Sequence, residues 1–229
     1  MEYLPNGYTL SIPQGTFPLT TDSMVLADFV RLPRKAKVLD LGSGCGTLGM
    51  LLCSCDSTCQ VTGVEIDPLS HEAAMENIRR NKLDDRLFSI CSSLRKIGTH
   101  FPPGSFSCCV SNPPYFSGGP AALENPTARR TDTCSLSELF AAANFSLRYG
   151  GDFFLVHKPE QLAHICGCAI TMNLEPKRLR LIRHTPGGEV ALILLQCRKG
   201  GNPGLLWEEL ALRDKEGNPT EDYNRIYHR

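Results

Sequence analysis

Residues 38–46 read VLDLGSGCG, and this stretch decides how the chain folds. A short apolar run carrying Asp40 meets glycines at 42, 44 and 46, and the helical pattern TLGMLLCSC follows at once. Glycine, lacking a Cβ, takes positive φ and lets a ligand approach the backbone where a helix start offers free N–H groups. The spacing is not the GxGxxG of nicotinamide or flavin sites, and no GK[ST] follows to hold a phosphate. The next strand, QVTGVEI, ends at Glu65, where this layout brings a carboxylate to ribose hydroxyls. Asp40 could be a helix cap and Glu65 a solvated strand end; their joint placement favours a ligand.

Outward from this turn, apolar runs alternate with helical patterns. Strands are expected at RLFSIC, FSCCVSN, GDFFLVHK, KRLRLIRH and EVALILLQC, with helices at LSHEAAMENIRRNK, SLSELFAAANFSLRY and PEQLAHICGCAITM. That rhythm signals an α/β fold, a mostly parallel sheet wrapped by helices. Residues 36–199 carry it. Residues 1–35 hold FPLTTDSMVLADFVRL, where Thr21 or Asp22 can cap a helix beginning near Ser23. Residues 116–134 form a long Gly, Pro and Ala loop, and residues 200–229 form a tail punctuated by GGNPG and KEGNP.

The chain has 229 residues, 41% of them hydrophobic, enough to bury a core as one domain with small additions. Its 24 basic and 24 acidic residues give zero net charge, so a nucleic-acid partner has to be held by local basic patches. No apolar run reaches a membrane span and the first ten residues lack signal-peptide character, from which a cytosolic location is expected. The eleven cysteines read as reduced, buried thiols; Cys53, Cys55 and Cys59 lack the paired CxxC spacing of a zinc site, and no metal is expected. Monomer and homodimer both stay open.

VSNPPYFSGG, residues 110–119, ends another strand in unusual chemistry. The run stops at Asn112, Pro113 and Pro114 have no N–H to donate, and Tyr115 and Phe116 follow. An exocyclic amine shares its lone pair with the ring and is a poor nucleophile. If the Asn112 side-chain oxygen and the Pro113 carbonyl accept its two hydrogens, the lone pair turns outward toward an electrophile. Tyr115 offers a stacking face, typically worth ~1–3 kcal/mol per base, and Phe116 an opposite wall. As a plain strand-ending turn, the same residues would leave Asn112 as a cap and Tyr115 as core.

The glycine turn, Asp40 and Glu65 together resemble the class I S-adenosylmethionine-dependent methyltransferases, which implies a Rossmann-like, mostly parallel seven-stranded sheet with an antiparallel last strand and helices on both faces. The resemblance places Thr21, Asp40, Gly42, Gly44, Gly46, Glu65, Ile66 and Asn112 at the cofactor. Ser92 or Ser93 would meet its adenine where an Asp is usual. The segment 1–35 would pack on the cofactor site and the tail would complete the same domain. NPPY marks methyltransferases acting on adenine or cytosine amino groups, guanine, or release-factor glutamine.

FPLTTDSMVLADF, NPPYFSGG, LVHKPEQL, LEPKRLRLI and the tail LALRDKEGNPTEDYNRIYHR look like the tRNA-Val adenosine-37 methyltransferase family, over nearly the whole chain. This implies transfer to the exocyclic amine of the adenosine after the anticodon. Arg129, Arg130, Lys158, Lys177, Arg178, Arg180 and Arg183 are the basic residues expected to face tRNA, although each could equally be a solvated charge. Alternatives are a methyltransferase for release-factor glutamine or rRNA guanine, or a non-catalytic RNA-binding module. The glutamine enzymes usually carry an N-terminal helical domain for which 35 residues leave no room. A module without turnover predicts a damaged motif, whereas Asp40, Gly42, Glu65, Asn112 and Tyr115 are all present.

Overall fold

The computed structural model describes residues 1–4, 7–115 and 134–227. Its centre is an eight-stranded sheet in the order β10-β8-β9-β7-β6-β3-β4-β5. The strands are β3 (Lys37–Leu41), β4 (Gln60–Glu65), β5 (Leu87–Cys91), β6 (Phe106–Ser111), β7 (Leu147–His157), β8 (Leu174–Arg183), β9 (Val190–Lys199) and β10 (Leu206–Ala211). β9 runs antiparallel to both neighbours, β7 and β8, and all other pairs are parallel. β1 (Glu2–Tyr3) and β2 (Thr9–Leu10) form a separate two-stranded hairpin.

Strands buried on both faces read as continuous apolar runs, and here successive residues feed two cores. Val38, Cys108, Val110, Phe154 and Leu194 join the core under α1 (Thr21–Phe29) and α2 (Thr47–Cys55). Leu39, Cys109, Phe153, Leu155 and Leu195 join the opposite one under α4 (Leu136–Ser146) and α5 (Leu162–Thr171). The fold class is the one the glycine turn announces.

Three boundaries differ from the sequence reading. α1 begins at Thr21 with Thr20 as N-cap, so Thr21 and Asp22 are first-turn residues and not caps; no side-chain cap bond forms. Residues 147–149 leave the expected helix for β7, because pairing of Leu147 with Phe106 of β6 overrides helix propensity. The tail adds an eighth strand, β10, paired in parallel with β8, and a last helix, α6 (Glu221–Tyr227).

The basic residues of β8 serve this attachment. Arg178, 5% exposed, donates to Glu208 of β10 and to Gln196, while Arg180 donates to Glu208 and to Asp28 of α1. Both guanidinium groups also lie over the Phe29 ring. Arg183 bonds Glu209 and the Gly188 carbonyl, and Lys177 bonds the Asn202 carbonyl. These four residues, expected to face RNA, are thus each bonded within the protein, three to β10 and Lys177 to the loop before it. Arg225 of α6 closes the network on Asp28.

Candidate active site

β3 is the switch point of the sheet: its neighbour β4 continues one way, and the chain then returns to lay β6 along its other side. Such reversals open a crevice beyond the carboxyl ends of the strands. The ends of β3 and β6 carry the glycine turn and Asn112 into that crevice.

Gly42, Gly44 and Gly46 take φ of +76°, +54° and +83°, a region costly for other residues. A Cβ added at Gly42 or Gly44 would meet nothing within 4 Å, so open space lies above the turn. Glu65 braces it: Gly44 N–H donates to Oε2 and Asp67 N–H to Oε1, each at 2.8 Å. Ile66 follows, 43% exposed, leaving an apolar surface beside the carboxylate. Asp40 is buried, and burial, aided by the Glu65 charge, pushes its carboxyl up to about 7.

Ser92 and Ser93 separate cleanly. Ser93 Oγ accepts from Arg95 N–H as the cap of the 3-10 turn Leu94–Thr99, whereas Ser92 Oγ lies 2.9 Å from His100 Nε2. The Ser92 N–H donates to the Glu65 carbonyl, which sets Ser92 beside that residue. Thr21, also expected at the cofactor, lies beside the Tyr227 hydroxyl of α6.

On the acceptor side, α1 grips both ends of the NPPY segment. Asn112 Nδ2 donates to Ser23 Oγ at 3.0 Å, and the Tyr115 hydroxyl donates to Asp22. Burial pushes the Asp22 carboxyl up, countered by the charge of Lys158. Lys158 Nζ lies 5.1 Å from the Tyr115 ring centroid, and His157 packs edge-on against the same ring at 5.2 Å. Lys158 N–H donates to His157 Nδ1, so the ring proton belongs on Nε2; burial lowers the pKa of this histidine and keeps it neutral. Phe116, Arg129 and Arg130 lie outside the described residues.

Buried polar atoms are nearly always paired, so exceptions mark places that expect a partner. Among the described residues, eight buried side-chain polar atoms have none. Five cluster at this crevice by position: Thr20 Oγ1, Asp40 Oδ2, Ser43 Oγ, Asn112 Oδ1 and His157 Nε2. The unpaired Asp40 Oδ2 and Ser43 Oγ beside an open glycine turn fit a ligand with a cationic amino-acid portion and a ribose. No cluster of His, Cys, Asp and Glu able to hold a metal, and no helix long and apolar enough to cross a membrane, occurs among the described residues.

Sequence reasoning missed Ser23, His157 and Asn77. Asn77 of α3 (Pro68–Arg80) accepts from Ser11 N–H and donates to the carbonyls of Ser11 and Cys45, tying the N-terminal segment to the glycine turn. An Asn on the buried face of a helix, at spacing otherwise taken by alanine and isoleucine, was the available signal.

A doubly wound sheet with a glycine turn and an NPPY segment at its switch point is the arrangement of a Rossmann-like methyltransferase. The chain belongs to the methyltransferase small domain family, whose model matches residues 19–166. A protein from Bacteroides fragilis named tRNA1(Val) (adenine(37)-N6)-methyltransferase is 29% identical over 73% of this chain and 71% of its own. One of the same name from a Shewanella species is 28% identical over 89% of this chain and 87% of its own. Among solved structures, one described as a predicted O-methyltransferase from Agrobacterium tumefaciens superposes with a TM-score of 0.76 at 20% identity, covering 90% of this chain and 95% of its own. A precorrin-6y C5,15-methyltransferase from Geobacter metallireducens gives 0.60 at 12% identity, covering 86% and 100%. These two likenesses speak for the fold alone.

Proposed function

We propose that the protein is an S-adenosylmethionine-dependent methyltransferase acting on the exocyclic amine of adenine in tRNA, at adenosine 37 of tRNA-Val. The observation that carries this reading is the buried, unpartnered Asn112 Oδ1 beside Pro113 and Tyr115. A hydrogen-bond acceptor kept dry and unsatisfied is suited to an N–H of an incoming amine. The names of the relatives from Bacteroides and Shewanella support the choice of acceptor.

When bound, the cofactor supplies an electrophilic methyl group on a positively charged sulfur. Glu65 holds the ribose hydroxyls, Asp40 faces the cationic amino-acid portion, and the turn at Gly42, Gly44 and Gly46 lets it lie against the backbone. Ile66 and Ser92 bound the adenine, and Thr21 stands at the entrance under the N-terminal segment. Asn112 Oδ1 and the Pro113 carbonyl take the two hydrogens of the target amine, with Pro114 stiffening the carbonyl's position. The nitrogen lone pair is thereby presented for attack. Tyr115 stacks on the extruded base, and Lys158, Phe116, Arg129 and Arg130 serve the RNA. The amine proton released after transfer passes from Asn112 Oδ1 or the Pro113 carbonyl to water. A base in a single-stranded loop costs less to extrude than one in a duplex.

The test is methyl transfer from labelled cofactor to total tRNA, rRNA and release factor side by side, with the mark mapped by mass spectrometry. A methyl group on adenosine in the anticodon loop of tRNA-Val is expected. A mark on guanosine, on rRNA alone or on a protein glutamine overturns the assignment.

A further inference from the structure

Most arginines among the described residues are already answered. Among the described arginines, Arg31, Arg79, Arg80, Arg95, Arg178, Arg180, Arg183, Arg198 and Arg225 pair with carboxylates, and Arg86 and Arg213 bond backbone carbonyls. Arg34 and Arg148 do neither among the described residues, and these two, 114 positions apart, line the same cleft. Lys35 and Lys37 line it with them, and no carboxylate does.

The cleft, of about 270 Å³, lies at the amino ends of β3, β6 and β7, the pole of the sheet opposite the NPPY crevice. Its hydroxyls are committed to structure. Ser107 Oγ accepts from Lys37 N–H, and Ser105 Oγ donates to the Pro102 carbonyl, so the groups left for a ligand are cationic. No carboxylate lines the cleft beside Arg34 and Arg148, and guanidinium groups bind phosphate oxygens bidentately.

We propose that this cleft is a second RNA contact, binding backbone phosphates of the substrate tRNA away from the base that reacts. The proposal rests on the tRNA reading above. At ~3.3 Å per residue, a strand of five or six residues separates the two poles by roughly 15–20 Å before the loops are counted. A free nucleotide is too short to touch both, and the contact proposed for the cleft is with the tRNA body beyond the anticodon arm.

Fluorescence anisotropy with full-length unmodified tRNA-Val and with its isolated anticodon hairpin tests this, comparing wild type with Arg34→Gln/Arg148→Gln. An Arg79→Gln variant, altering an exposed arginine outside the cleft, is the control. For the full tRNA, the double variant should bind three- to tenfold more weakly and lose roughly 1.5–2 from the slope of log K against log salt. Hairpin affinity, hairpin turnover and melting temperature should match wild type. Equal loss on both RNAs, or no loss on either, overturns the proposal. Titration with adenosine monophosphate separates a free nucleotide from RNA as the source of phosphate. Binding of it that the double variant abolishes, with tRNA affinity unchanged, assigns the cleft to small phosphates and also overturns it. The adenosine-methylation reading is judged separately, by the mark on the RNA; a changed salt slope without that mark keeps the cleft and sinks the reading.

Discussion

The Tyr115 hydroxyl donates to Asp22, the neighbour of the serine that takes the Asn112 amide hydrogen. A ring used only for stacking would tolerate loss of its hydroxyl. Here that loss leaves a half-buried carboxylate without its donor, at a cost of about 1–3 kcal/mol. Tyr115→Phe should lower turnover severalfold and the melting temperature by a few degrees, and Asp22→Asn should restore part of both. Tyr115→Ala should be worse in turnover. A phenylalanine variant with wild-type kinetics and melting would strip the hydroxyl of this role.

Asn112→Ala should leave cofactor affinity near wild type and remove at least a hundredfold in methyl transfer, because orienting the amine matters on the way to the transition state. Calorimetry and single-turnover rates separate the two effects. A matching drop in cofactor affinity would place Asn112 in ground-state binding instead.

Glu65→Ala should weaken binding of S-adenosylmethionine and of its demethylated product by roughly 1.5–3 kcal/mol, the value of a charge-assisted contact. The Gly44 and Asp67 N–H groups also lose their acceptor, which loosens the glycine turn. Unchanged calorimetric affinity in the folded variant excludes Glu65 from the ribose site.

Asp40 offers a pH signature. Its carboxyl is raised to about 7 in the folded chain, so near pH 6 it is mostly protonated, and binding a cationic ligand there must first expel that proton. Affinity for S-adenosylmethionine should climb between pH 5.5 and 7.5 and become flat in Asp40→Asn. Stability runs the other way. A raised carboxyl contributes most below the unfolded value of 3.8, and its contribution is lost as pH rises to about 7, so denaturation midpoints of wild type should fall over that window more than those of Asp40→Asn. Parallel profiles would show that Asp40 does not titrate there.

Glu208→Ala should unfold at a lower temperature by roughly 6–12 °C, following a loss of about 3 kcal/mol when the nearly buried Arg178 and Arg180 lose their shared carboxylate. Glu209→Ala, 63% exposed at its side chain, should change stability by less than about 0.5 kcal/mol.

The glycine turn, Glu65 and NPPY were legible because their chemistry is local: spacing alone sets a strand end against a helix start. The partners were not. Ser23 and Asn112 are 89 positions apart and Arg178 and Glu208 are 30 apart, and no periodicity links them. KRLRLIR therefore reads as a surface stripe until Asp28 and Glu208 are seen folded against it. LLWEELAL, short and wedged between turn signals, reads as tail because its only reason to be a strand is the open edge of β8. Helix propensity carried the α4 pattern past Ser146, where pairing with β6 had already claimed Leu147.

α1 is only nine residues long, and its two ends answer to different parts of the chain. Asp22 and Ser23 bond Tyr115 and Asn112, while Thr21 lies beside Tyr227 and Asp28 is clasped by Arg180 and Arg225. The last helix thus braces the element that holds the NPPY segment. A nick or premature stop that releases α6 would act as a lesion of the chemical step, slowing methyl transfer in a protein that still holds its cofactor.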